Sequence, residues 1–354
     1  MTSPTLRLRF VRRFRVAAVV VSAAACSDST TEPPPPPVTS ELTVDASVAP
    51  AYVKLGEPST AVTVTNPSSS SEWDLAFFAT GVTVNGGAAG PGGVTAYCLC
   101  ANANATVGKL QTMTPANQLA EFEAVTSADI PASTSFVADA LNPAISGWFT
   151  GTGATATAVP TKTWIVRQTI GGSAILAKFR VTGISGATAT SAGSVTVEYA
   201  IQPSAGAAFG AVQTRTLNLT AGPIYLDLTA GEVAATADWD LKLSGYEIRL
   251  NGGVSGTGGV SAVIDETMPF TQMTAQYASF APAVAYRSDS FGGVFVTSPW
   301  YSYNITGTDN QIWPNFNVYL VRDGDTVYKV QIISYYGPTG TSRQITLRTS
   351  RVAE

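Results

Sequence analysis

The feature that most constrains this chain is that it contains one pattern twice. Glu72-Trp73-Asp74-Leu75 recurs as Asp238-Trp239-Asp240-Leu241, and Val84-Asn85-Gly86-Gly87 recurs as Leu250-Asn251-Gly252-Gly253, both at an offset of 166 residues. Gly92-Gly93-Val94 and Gly258-Gly259-Val260 keep that offset. Further on, Thr163-Trp164-Ile165-Val166-Arg167 matches Val318-Tyr319-Leu320-Val321-Arg322 at 155, and Val195-Thr196-Val197 matches Ile345-Thr346-Leu347 at 150. The parts keep their order while the loops change length. A period this long is that of a domain and not of a solenoid repeat. Two tandem domains are therefore expected, over residues 41–205 and 208–354, with the boundary in the Ser, Gly and Ala of 203–210.

Within each copy the periodicity is that of strands. Tyr319 to Arg322 and Thr326 to Tyr336 are rich in β-branched and aromatic residues and flank Asp323-Gly324, a pair that tolerates the backbone of a tight hairpin. Gly337-Pro338-Thr339-Gly340 breaks the second run and Gln344 to Arg348 resumes with alternation, giving a three-stranded meander. Helical signals are few. Thr114-Pro115, an N-cap candidate before proline, predicts one short helix through Phe122. The expected fold is mostly β: two tandem antiparallel, sandwich-like domains with few short helices.

The N-terminus sets the compartment. Arg7, Arg9, Arg12, Arg13 and Arg15 form a basic leader without acids, followed by the apolar run Val16 to Ala25 and then Cys26. About ten apolar residues are too few to span a bilayer, and small residues directly before a cysteine resemble a bacterial lipobox. Residues 1–25 read as a lipoprotein signal peptide and Cys26 as the lipidated (palmitate-bearing) residue. Residues 26–40 form a linker, in which Pro33 to Pro37 hold an extended polyproline spacer. The expected location is the outer membrane, lipid-anchored on its periplasmic or cell-surface face.

The whole chain carries 20 basic and 24 acidic residues; without the leader's five arginines, 15 basic ones remain and the net charge is near −9. Such a chain lacks the basic face that nucleic-acid binding requires. Histidine is absent, which excludes Ser-His and Cys-His nucleophilic pairs and histidine-bound catalytic metals. Asp323 and Asp325 flank the hairpin glycine and read as solvated turn residues, too few for a calcium loop. No enzyme activity is expected.

Cys98 and Cys100, two apart, are open to three readings: packed thiols, a disulfide closing a small ring, or half of a soft-metal site. The Asn-Gly-Gly segments read as turns, with a backbone-lined ligand approach as the alternative. Trp73 and Trp239 read as core anchors, with ligand stacking as the alternative.

Trp-Asp-Leu, then Asn-Gly-Gly with its Gly-rich tail, then Tyr319-Leu320-Val321-Arg322 and Tyr328-Lys329-Val330-Gln331-Ile332-Ile333-Ser334-Tyr335-Tyr336 together resemble the HmuY-like family of haem-binding lipoproteins. The likeness is clearest over 220–352. The resemblance implies an all-β, hand-like fold that grips haem between loops near the outer membrane, with an outer-membrane transporter as a partner. Best-known relatives hold iron between two histidines, so this chain would need other ligands, and thioether and phenolate are chemically competent. Met268 and Met273, in the region where the family's ligands fall, and Met113 in the comparable region of the first copy are the candidate haem ligands. Methionine is also a common flexible core filler. Tyr277, Tyr286 and Tyr301 are further candidates for ligation or stacking. The expected function is binding of haem or another flat hydrophobic ligand; the alternative is a structural or adhesive surface lipoprotein that keeps the fold without haem.

Overall fold

A computed structural model describes residues 38–353, so the leader, Cys26 and the proline tract lie outside the described residues. Antiparallel β-sheets dominate, and the described residues include four short α-helices, none long and apolar enough to cross a membrane. The mostly-β reading holds.

Two five-stranded sheets carry the fold. One runs Ser40–Asp45, Ser342–Arg351, Thr326–Tyr336, Val318–Asp323, Thr95–Cys98; the other runs Gln213–Asn218, Ser194–Ile201, Ser173–Ser185, Thr163–Ile170, Ser261–Asp265. Each centres on the meander of one sequence copy but takes both edge strands from the other copy. Tyr319 pairs with Cys98 from the first copy, while Trp164 pairs with Ile264 from the second. The two copies thus exchange their meanders.

A four-stranded sheet packs beneath each five-stranded one. Thr60–Val62, Ala51–Lys54, Leu75–Phe78 and Gly81–Val84 form the first, and Gly231–Val233, Ile224–Asp227, Leu241–Ser244 and Glu247–Leu250 the second. Alternating side chains from both layers fill the space between, as two packed sheets require. One core joins Trp164, Phe179 and Val197 to Leu226, Leu241 and Leu250, and every fully buried member lies between Ile145 and Val260–Ala262. The other joins Leu75, Phe77 and Val84 to Tyr319, Ile332 and Leu347. In space the molecule is thus a continuous module, 144–292, and an interrupted module, 38–139 with 293–353. The Ser/Gly/Ala-rich stretch near 203–210 links two neighbouring strands of one sheet.

The exchange happens at one place. Ala140–Asn142 pairs with Ser290–Gly292 so that Leu141 faces Phe291, Ala140 faces Gly292 and Asn142 faces Ser290. Leu141 and Phe291 are equivalent residues at an offset of 150, and the pairs on either side, Ala140 with Gly292 and Asn142 with Ser290, exchange under that same offset, so a local twofold axis passes between Leu141 and Phe291. Asp139 and Asp289 flank this crossing. The Asp139 carboxylate accepts from Val84 N at 2.9 Å, and that of Asp289 accepts from Leu250 N and Ala144 N, each at 2.9 Å.

The repeated Asn-Gly-Gly motifs are structural turns. Asn85 Nδ2 donates to Trp73 O and its Oδ1 accepts from Gly92 N; Asn251 makes the same bonds with Trp239 O and Gly258 N. A Cβ on Gly86 would lie 2.0 Å from Val94 O, and one on Gly252 would lie 2.0 Å from Val260 O. Backbone oxygens cannot swing aside as a side chain can, so these glycines are sterically required. Gly86→Ala and Gly252→Ala are each expected to cost about 2–3 kcal/mol, the upper range for overpacking, in thermal unfolding. Gly93→Ala meets open space at φ +71° and should cost about 1 kcal/mol, the penalty for a left-handed alanine. Equal losses at positions 86 and 93 would discard the steric explanation.

Three local expectations change. The helix expected from Thr114 starts instead at Leu119 and ends at Glu123, because Thr114 Oγ1 and Asn117 close a turn between them. A helix at Val107–Thr112, capped by Thr106, was not anticipated. Asp323 is no free turn residue: Lys54 Nζ bridges it at 3.0 Å to the buried Asp74 at 2.6 Å.

Candidate functional site

The methionines come first, as the sequence's candidate ligands. Met268 and Met273 share one small cluster with Ile165, Leu176 and Ala278, Met273 buried and Met268 half-buried. Tyr277 and Tyr286 pack on the same cluster, so three sequence candidates converge there with Met273. Met113 is elsewhere, buried among Leu110, Phe316 and Ile333.

Sequence reasoning missed a pair of lysines beside these clusters. Lys178 and Lys329 face Ile165 and Leu320 in matching registers, and both are buried. Lys178 Nζ donates to Phe270 O at 2.8 Å and Met273 O at 3.0 Å; Lys329 Nζ donates to Glu123 O at 3.3 Å and Val125 O at 3.1 Å. Each ammonium also stands over a phenyl ring, Phe270 at 4.6 Å or Phe122 at 4.9 Å, an arrangement favoured by the ring quadrupole. Burial pushes both lysine pKa values down. These lysines pin the irregular loops to the meanders. A lysine at equivalent positions of both copies was the available signal.

A preformed aromatic hollow lies on the four-stranded sheet of the interrupted module, with Val254, Ser290 and Phe291 of the continuous module at its side; a second hollow, of about 910 Å³ on the continuous module, has Tyr199 as its one aromatic lining residue. The aromatic hollow holds about 640 Å³, inside the roughly 300–1,000 Å³ typical of small-molecule sites. One wall is the four-stranded sheet with Tyr52, Trp73 and Phe77; the other carries Phe291 from the crossing itself and Phe295 and Tyr301 from beyond it. Tyr52 meets Trp73 edge-on at 5.3 Å, and Phe295 stacks on the buried Tyr319 at 4.3 Å. Behind it, the indole of Trp300 donates to Thr80 O at 2.9 Å. Phe78, Val254 and Val296 stand on its lip although each is about half exposed, and exposed apolar side chains grouped around a hollow mark a binding surface.

Of the sequence candidates, Tyr301 and Trp73 line this slot; no methionine does. Trp73 is both a core anchor, 2% exposed, and part of the slot wall. Cys98 and Cys100 are bonded to each other, away from it. Among the described residues no cluster of three or more carboxylates and cysteines could hold a metal ion.

The equivalent face of the continuous module is filled. In the first copy the row across the sheet is Tyr52, Ala76, Thr83; in the second it is Tyr225, Lys242, Arg249. Gly81 corresponds to Glu247. Lys242 Nζ lies over the Tyr225 ring at 5.4 Å, and Arg249 pairs with Glu247. Three long side chains therefore cover the surface that Ala76, Gly81 and Thr83 leave open.

A family model described as HmuY protein matches residues 51–199 and 220–348. Among solved structures, an HmuY-like heme-binding protein of Bacteroides vulgatus is 15% identical over 36% of this chain and 83% of its own, with a TM-score of 0.16. A lipoprotein of Bacteroides fragilis is 18% identical over 44% of this chain and 88% of its own, also at 0.16. No curated protein matches.

Proposed function

Because the chain belongs to the HmuY family, with two copies of the family domain in one polypeptide, we propose that it is a binding protein that takes haem or a related flat hydrophobic ligand into the aromatic slot. The observation that carries this reading is the 640 Å³ hollow walled by Tyr52, Trp73, Phe77, Phe295 and Tyr301. Aromatic faces on opposed walls suit a planar ligand, since large rings bury much area and stack in offset or edge-on arrangements. The lipobox-like Cys26 and the proline spacer would tether the module at the outer membrane, where an outer-membrane transporter is the partner the family suggests.

Haem titration of the purified full-length chain tests this. A Soret shift saturating at stoichiometric haem is expected, and Thr83→Arg, which copies Arg249 of the second copy, should weaken binding at least tenfold. The absence of a shift at micromolar haem would sink the proposal and favour a structural or adhesive role. Loss of the shift in Met268→Ala/Met273→Ala, with Thr83→Arg unaffected, would move the site to the methionine cluster.

A further inference from the structure

The slot's lining holds only apolar, aromatic and hydroxyl-bearing side chains with glycine: no Met, Cys, Asp, Glu, Lys or Arg faces it. An iron centre there would depend on the phenols of Tyr52 and Tyr301. The Tyr52 ring is engaged edge-on with Trp73. Burial raises the pKa of its phenol, which keeps it protonated, whereas phenolate is the iron ligand. The Tyr301 hydroxyl lies 3.4 Å from Thr80 Oγ1. Without a cation in the lining, carboxylates of a ligand must point out through the mouth, since a buried unpaired charge is costly. What the slot can recognise is an uncharged planar face.

From this lining, together with the filled counterpart in the second copy, we infer that the chain holds one porphyrin, by its macrocycle alone and without ligating a metal. Metal-free protoporphyrin therefore binds as haem does. The inference rests on the proposed function and specifies its ligand class. Stacking and burial of the ring face supply the affinity, and these do not change when iron leaves the ring. The stoichiometry follows from Lys242, Glu247 and Arg249, which cover the equivalent sheet face of the second copy, and from the lining of the other hollow on that module, which offers one aromatic side chain, Tyr199, and no opposed aromatic walls.

The test titrates the full-length chain with protoporphyrin IX and, separately, with haem, following quenching of tryptophan fluorescence, to which Trp73 in the slot wall reports. Expected are dissociation constants within about threefold of each other, one site per chain for both, and parallel weakening of both by Thr83→Arg. Arg249 occupies the matching strand position of the second copy, so this substitution is compatible with the fold. The triple variant Ala76→Lys/Gly81→Glu/Thr83→Arg, checked for native circular dichroism, should abolish both. Haem binding with protoporphyrin at least tenfold weaker would overturn the inference while leaving the haem-binding reading intact. Two sites per chain would overturn the single-slot conclusion. Failure of both ligands to bind would overturn the haem-binding reading itself.

Discussion

Residues 143–292 expressed alone are expected to fold as a monomer with one cooperative transition, while residues 41–205, a complete sequence copy, are not. The continuous module keeps both its sheets and a core of 21 fully buried apolar residues, all inside the fragment. The sequence copy keeps its meander but loses the edge strands Gln213–Asn218 and Ser261–Asp265 and the four-stranded sheet that covers it. Its own first half likewise loses the strands of Val318 to Arg351. Two uncovered half-cores cannot offset the conformational entropy of about 1–2 kcal/mol per ordered residue. Any folded fraction of 41–205 should be dimeric, because two copies can give each other what the crossing at Leu141 and Phe291 arranges within one chain. Circular dichroism with light scattering on both fragments decides the matter. A stable monomer of 41–205 would mean that strands within one copy can pair among themselves and that the exchange is not obligatory.

Asp139→Asn and Asp240→Asn are expected to stabilise the protein at pH 7.5 much more than at pH 4.5. Burial raises both carboxyl pKa values to about 6, against hydrogen bonds from Val84 N and Leu228 N that favour the anion. The second copy shows why. In the first copy Asp74 is met by Lys54, but the residue matching Lys54 beside Asp240 is Asp227, whose charge raises the Asp240 pKa further. Unfolded aspartate titrates near ~3.9. Between that value and about 6 the folded state binds more protons than the unfolded one, so stability falls as pH rises through the window. At about 1.4 kcal/mol per pKa unit, each group costs on the order of 3 kcal/mol once ionised. Asparagine keeps an acceptor oxygen for the same backbone N–H and removes the charge. Tm measured for wild type and both variants at the two pH values provides the check; equal shifts at both would discard the assignment.

Much of the architecture was legible. Repeated Trp-Asp-Leu and Asn-Gly-Gly identified the copies because the physical demand at those points is local: an Asn that ties its own loop, and glycines pressed against Val94 O and Val260 O. The exchange of meanders was not legible. Thr95–Cys98 and Ser261–Asp265 are equivalent strands, so either would satisfy Thr163–Ile170 or Val318–Asp323 by hydrophobic pattern. What decides is the path of the chain at 140–142 and 290–292, which carries no pattern of its own. The slot was half legible. Trp73 and Tyr301 were singled out for other reasons, while its openness depends on small residues, Ala76, Gly81 and Thr83, whose meaning emerges only beside Lys242, Glu247 and Arg249. The methionines drew attention as soft ligands; Met113 is buried with Leu110, Phe316 and Ile333, and Met273 with Ile165, Leu176 and Ala278 beside Met268, Tyr277 and Tyr286, surroundings in which methionine also serves as core filler.

The interleaving also dictates an order of events at the ribosome. The chain emerges from its N-terminus, so strands 40–98 arrive first yet must wait for their partners. Ser40 and Thr349, joined by a side-chain hydrogen bond, are 309 residues apart. Meanwhile 144–292 can close over its own core and stand as a finished obstacle between the two ends. For as long as synthesis lasts, the apolar faces of Leu75, Phe77 and Val84 lack the meander that covers them, and unpaired edges of this kind invite aggregation. A chaperone that holds the first hundred residues open until the last thirty appear would serve this topology better than one that acts on the released chain.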